Sequence, residues 1–193
     1  ADVLPIGTVH PYDGQAALEE LQRIARRGVK VLKLHAHTQQ FDVADPRVLA
    51  LCRRAGELGV VVLMDNAGIL PGDHEKLFNL AAQAPKTKFV LAHIGGTGFR
   101  FWNILPLART ADGFAFDNLY FDISATVLLA ADTPLEAEFV WTLRNVGIDH
   151  VLLGSDYPQI SLAQTLQAFE RLDLTAAEKA KIRATNARAL FGH

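Results

Sequence analysis

The sequence predicts an α/β fold built on a parallel sheet of six strands, and three observations predict it. Short β-rich apolar runs alternate with amphipathic segments in one repeating order, which is the pattern of βα units. The runs read as nearly continuous apolar stretches, as expected when both faces of a sheet are covered. Glycine, proline and capping residues punctuate the junctions. Strands are expected at residues 3–10, 29–35, 60–64, 88–93, 119–123 and 151–154, each followed by a helix.

The helices show 3.6-residue spacing, as in Leu18, Leu21, Ile24 and Ala25 set against Glu19, Glu20, Arg23 and Arg26. Gly28, Gly59 and Gly147 fall just past helical patterns, where a left-handed residue is easily accommodated by glycine. Asp45 before Pro46 and Thr133 before Pro134 read as N-caps with proline at the first helical position. Thr175 and Glu178 form a capping box for a last helix that ends near Phe191.

Half of the 193 residues are hydrophobic and no polar linker divides them, so one domain over residues 1–193 is expected. The formal net charge is −2 and the 19 basic residues are spread along the helices, which leaves no electrostatic footprint for nucleic acid or an acidic membrane. A small-molecule substrate, neutral or an acid held by local groups, fits better. Cys52 is the single cysteine and falls in an apolar helical pattern with Val48 and Leu49, so a buried thiol and a reducing compartment are expected. No apolar run approaches the ~20 residues of a membrane span, and no basic region precedes a hydrophobic stretch at the start. A cytoplasmic protein is the expectation.

Polar residues collect at the C-terminal ends of the expected strands: His10, His35 with His37, Asp65, His93, Asp122 and Asp156. Six βα units fit either an open doubly wound sheet or a barrel short of two units. That edge binds ligands in both, but only a barrel brings every strand end into one small circle. No glycine-rich phosphate loop follows a strand, which argues against a nucleotide-binding open sheet.

Two segments carry the chemistry. In KFVLAHIGG an apolar run ends in His93 and two glycines, which puts an imidazole at the mouth or, alternatively, against a neighbouring loop. In HVLLGSDYP the run ends in Gly154 and Ser155 before Asp156; a carboxylate there can bind a metal ion, take a proton from water, or cap the next helix. Asp122 in LYFDIS, beside Ser124, reads as a hydrogen-bonding brace. Arg100 can clamp a substrate carboxylate or lie solvated at the surface. His74, His150 and His193 lie on helical or terminal stretches and receive no role.

The order of KVLKLHAH, VVVLMDNAG, KFVLAHIGG, LYFDIS, VLLGSDYP and NARALFG resembles the amidohydrolase-related family called amidohydrolase 2, which includes decarboxylases, hydratases and lactonases of carboxylated substrates. The resemblance covers essentially the whole chain, and the AHIGG and GSDYP pair is its most specific part. It implies a (β/α) TIM barrel of which strands 3 to 8 are present and the first two βα units missing. It also implies catalytic roles for His93 and Asp156. The family's metal-binding His-x-His of the first strand has no counterpart before PIGTVHPYD. His35 and His37 imitate that pair, and strand alternation would set them on one face, but KLHAH matches the fourth strand. His35, His37 and Lys33 are therefore expected on the substrate side.

The family's fifth-strand histidine ligand is replaced by Asp65, whose oxygen lowers the preference for zinc and raises that for manganese or magnesium, or signals a metal-free site. The expected function is a metal-dependent hydrolase in which a divalent zinc, manganese or magnesium ion near Asp65, Asp156 and His93 activates water against an amide, ester or lactone bond. Non-oxidative decarboxylation or metal-independent lactone hydrolysis is the alternative within the family, and a ligand-binding barrel without chemistry is the alternative outside it. Six strands alone expose two sheet edges, which invites association with another chain, a homo-oligomer among the choices.

Overall fold

The computed structural model describes residues 3–113 and 116–192, so His193 lies outside the described residues. All six expected strands are present, and their order in the sheet is their order in the chain. The chain gathers into two compact units: Ala1–Asp65 with Ile69–Val90 and Phe116–Leu119, and Asn66–Gly68 with Leu91–Ala115 and Tyr120–His193.

The first unit begins with β1 (Ile6–Thr8), α1 (Gln15–Arg26), β2 (Val31–Leu34), a single turn α2 (Ala36–Gln39), α3 (Pro46–Glu57), β3 (Val61–Met64), α4 (Asp73–Gln83) and the start of β4 (Phe89–Leu91). β2 lies between β1 and β3 in parallel register, with Lys33 opposite Thr8 on one side and Leu63 on the other. Val31, Leu32, Leu34, Val61, Val62 and Met64 are all buried, which explains why these strands read as nearly continuous apolar runs, interrupted only by half-buried Lys33 on β2. α1 buries Ala17, Leu21 and Ile24, and α3 buries Val48, Leu51, Cys52 and Ala55. Burial pushes the Cys52 thiol up to about 12, as suits a core residue and not a nucleophile.

Helix ends follow the sequence signals. The Asp45 side chain accepts the N–H of Arg47 with Pro46 at the first helical position, and Gly28 and Gly59 adopt φ of +84° and +68°. The buried Asn118 was not signalled. Its Nδ2 donates to the carbonyl oxygens of Ala81, Ala84 and Thr87 at 3.1, 3.2 and 3.1 Å, tying the end of α4 to the start of β4. Asn118→Ala removes the amide donor from three buried carbonyls, of which those of Ala81 and Ala84 keep the N–H groups of Ala84 and Thr87, and a loss of about 2 kcal/mol in stability is expected from urea unfolding.

The second unit continues from β4 through α5 (Leu105–Ala108), β5 (Leu119–Asp122), α6 (Thr126–Ala130), α7 (Glu136–Val146), β6 (Val151–Leu152), α8 (Leu162–Arg171), α9 (Ala176–Ala180) and α10 (Asn186–Phe191). β5 and β6 are parallel, with Phe121 opposite Val151. Gly147 has φ +105° after α7, and the Thr175–Glu178 capping box is formed. Thr133 caps less directly than expected: its hydroxyl accepts the N–H of Leu135, and α7 starts at Glu136. A single π-helical turn, Lys181–Thr185, joins α9 to α10. Asn186, from the NARALFG segment, donates to the carbonyls of Ile148 and Val151, both at 2.7 Å, and so pins the last helix to β6. Among the described residues no helix is long and apolar enough to cross a membrane.

The strands are shorter than the sequence suggested. β2 stops at Leu34, β4 at Leu91 and β6 at Leu152, so His35, His93 and Gly154 stand just past strand ends. The expectation that His35 and His37 share a strand face does not hold. His35 is the N-cap of α2, its Nδ1 accepting the N–H of Thr38 at 3.4 Å, and His37 lies in that helical turn.

Candidate active site

In the first unit, two expected site residues meet. Asp65 follows β3 and is tied to β2 through its N–H, which donates to the Leu34 carbonyl at 3.0 Å. Its Oδ1 stands 3.7 Å from His35 Nε2. Because His35 Nδ1 accepts a backbone N–H, the ring proton of neutral His35 sits on the Nε2 that faces Asp65. Lys33 is half-buried on β2. His37 is exposed and lines an open surface cavity of about 420 Å³ with Gln40, Asp42, Asp73 and Lys76. His10 is occupied structurally, accepting the N–H of Tyr12 on Nδ1 and donating from Nε2 to the Gln39 carbonyl at 2.7 Å.

In the second unit, the chain leaves β4 through an elbow of four successive positive φ values: His93 at 62°, Ile94 at 45°, Gly95 at 91° and Gly96 at 56°. Two of these are non-glycine residues, each held at a cost of about 1–2 kcal/mol that the surroundings must offset. They do so on several sides. The His93 N–H donates to Asp122 Oδ1 at 3.2 Å, and Thr126 Oγ1 donates to the His93 carbonyl at 2.5 Å. The ring Nδ1 lies 3.0 Å from Ser124 Oγ and 3.2 Å from the Ser124 carbonyl oxygen. Asp122 Oδ1 also accepts the Ser124 N–H at 2.9 Å and the Ser124 hydroxyl in a short bond. Asp122 is thus the brace that LYFDIS suggested.

Further supports were not legible as such. Buried Asn66, with its amide oxygen turned toward them, accepts from the Gly95 N–H at 3.2 Å and from Trp102 Nε1 at 3.3 Å. The glycine pair serves this packing: a Cβ on Gly96 would stand 2.6 Å from the Ala67 carbonyl oxygen. Gly154 similarly leaves room for the brace, since its Cβ would approach Asp122 Oδ1 to 3.2 Å. The signals available were the polar residue after Asp65 in MDNAG and the hydroxyls in LYFDISAT.

Asp156 is exposed, has φ +66°, and turns the chain through its carbonyl oxygen, which accepts from the N–H of Gln159 and Ile160 at 2.9 and 3.3 Å. It does not cap the next helix, because Ser161 does so with a full capping box to Gln164. Arg100 is engaged by Glu138 through two parallel bonds of 2.7 and 2.6 Å, so a substrate carboxylate would have to displace that exposed ion pair. His150 stacks on Tyr120 with ring centres 4.7 Å apart.

Among the described residues no group of three or more His, Cys, Asp or Glu side chains comes together that could hold a metal ion.

The amidohydrolase family model matches residues 2–193. No curated protein sequence matches the chain. Among solved structures, an uncharacterised TIM-barrel protein from Bordetella bronchiseptica superposes with a TM-score of 0.77 at 21% identity, over 98% of this chain and 68% of its own. A 2,6-dihydroxybenzoate decarboxylase from Rhizobium gives 0.73 at 18% identity, over 98% and 71%. A 5-carboxyvanillate decarboxylase from Novosphingobium aromaticivorans, complexed with manganese and 4-hydroxy-3-methoxy-5-nitrobenzoic acid, gives 0.72 at 19%, over 98% and 64%. The chain thus spans about two thirds of the length of these proteins, and at such identities the likeness is one of fold: the six βα units are those of a (β/α) barrel. With the family model matched from residue 2 to residue 193, the chain belongs to the amidohydrolase family.

Proposed function

We propose that this chain carries the reaction face of an enzyme that removes carbon dioxide from a small hydroxylated aromatic acid without a redox step. The observation that carries the reading is the His93 elbow, where an imidazole past the end of a strand is held by its N–H, its carbonyl and its ring nitrogen together. An imidazole fixed in this way suits proton transfer to a developing carbanion. Fold likeness to decarboxylases of benzoate derivatives supports the same chemistry over the hydrolysis expected from sequence.

In this reading the bond between ring carbon and carboxylate breaks, its electron pair stays on the ring carbon, carbon dioxide leaves and a proton takes its place. His93 and Asp156 hold and move that proton. Lys33, His35, His37 and, once released from Glu138, Arg100 are proposed to bind substrate. Were a divalent ion bound, carboxylate oxygen donors, Asp65 in the first unit or Asp156 in the second, would favour manganese or magnesium over zinc. The exposed Asp156 carboxylate favours a second reading, in which it takes a proton from water that attacks an ester or lactone.

Incubating the purified protein with hydroxybenzoates, and separately with lactones and esters, while measuring carbon dioxide and new carboxylic acid decides between them. Carbon dioxide from the first panel is expected. Acid from the second panel alone means hydrolysis, and binding without either product means a barrel that only holds its ligand.

A further inference from the structure

We infer that Ser124, with Asp122 behind it, fixes His93 in the tautomer that carries its proton on Nδ1, leaving Nε2 as the basic nitrogen of the neutral ring. The inference gives the decarboxylase reading its proton-transfer atom, and it rests on that reading only for its use in catalysis.

The argument is one of donors and acceptors. His93 Nδ1 lies 3.2 Å from the Ser124 carbonyl oxygen, which can only accept. It also lies 3.0 Å from Ser124 Oγ. The hydroxyl has one proton, and that proton is directed at Asp122 Oδ1, which already accepts the N–H groups of His93 and Ser124. Oγ therefore turns a lone pair toward the ring. Two acceptors on one residue face one ring nitrogen, so Nδ1 must be the donor. The reverse tautomer would set its lone pair against two oxygen lone pairs.

The arrangement looks like a nucleophile triad and is not one, because the serine proton goes to the carboxylate and not to the imidazole. Ser124 and Asp122 are positioning residues acting through His93. Gly154 is part of the device, since a side chain there would meet both Asp122 Oδ1 and Ser124 Cβ at 3.2–3.3 Å. The contrast within the molecule is plain. His10 and His35 each accept a backbone N–H on Nδ1, so both carry the proton of the neutral ring on Nε2. His93 is opposite to them.

The test is two-bond proton–nitrogen NMR of the purified protein with nitrogen-15 histidine, at a pH where the rings are neutral, with His93 assigned by the signal lost in His93→Gln. The expected spectrum shows His93 protonated on Nδ1 in excess of about tenfold, and His10 and His35 protonated on Nε2. Ser124→Ala removes the hydroxyl acceptor but keeps the carbonyl, so it should reduce the excess of the Nδ1–H tautomer, which Ser124→Thr should restore. A His93 signal of the Nε2–H type, or a tautomer unmoved in Ser124→Ala, overturns the inference. If that variant does not fold, the spectrum of the unaltered protein decides alone. Failure to release carbon dioxide would leave this spectrum unchanged, so the two readings fail separately.

Discussion

Asp156→Asn is expected to lower turnover by about 10²–10⁴-fold, the range for losing a proton-transfer group, with no measurable change in stability. The structural work of Asp156 is done by its backbone carbonyl, which keeps both of its N–H partners in the variant. Asparagine tolerates φ +66° as well as aspartate does, so the turn survives. Only the carboxylate is lost. Rates and thermal midpoints measured side by side would check this, and an unchanged rate removes Asp156 from the chemistry. Asp156→Ala is a poorer probe, because alanine adds backbone strain to the loss of charge.

Gly96→Ala should be strongly damaging to the second unit, for a different reason. The new Cβ would stand 2.6 Å from the Ala67 carbonyl oxygen, a backbone atom with no rotamer to yield, at φ +56°. Overpacking and left-handed strain add, and a loss of about 2–4 kcal/mol in stability is expected, with the His93 elbow displaced. Gly59→Ala is the control: its φ of +68° is similar, but nothing lies within 4 Å of its Cβ, so strain alone predicts about 1–2 kcal/mol. Chemical denaturation of the two variants gives the difference directly, and equal losses would mean that the contact with Ala67 is relieved at no cost.

The strands and helix ends were legible because they depend on patterns close together in the chain. Val31, Leu32 and Leu34, like Val61, Val62 and Met64, are apolar because they are buried in the sheet, and Asp45, Gly28 and Gly59 mark helix ends by local hydrogen-bond and φ requirements. The segment at His35 misled because two forces compete there. Strand alternation would place His35 and His37 together, but the imidazole caps the first turn of α2 and ends the extended chain. The four-residue elbow at His93 was equally hidden, because its positive φ values are imposed by partners about thirty residues away, Asp122 and Thr126, and by Asn66. Asn118 and Asn186 escaped notice for the same reason: a lone asparagine carries no local pattern, and its role exists only once distant carbonyls surround it.

Product analysis in heavy water tests the central claim most directly. If the chain belongs to a decarboxylase in which His93 and Asp156 handle the proton, a hydroxybenzoate substrate should give carbon dioxide and a phenol with one deuteron on the carbon the carboxylate left. Asp156→Asn should form that phenol at least about a hundredfold more slowly. A deuterated phenol formed at the same rate by both proteins, or an acid formed from a lactone with no carbon dioxide released from any hydroxybenzoate, would contradict it.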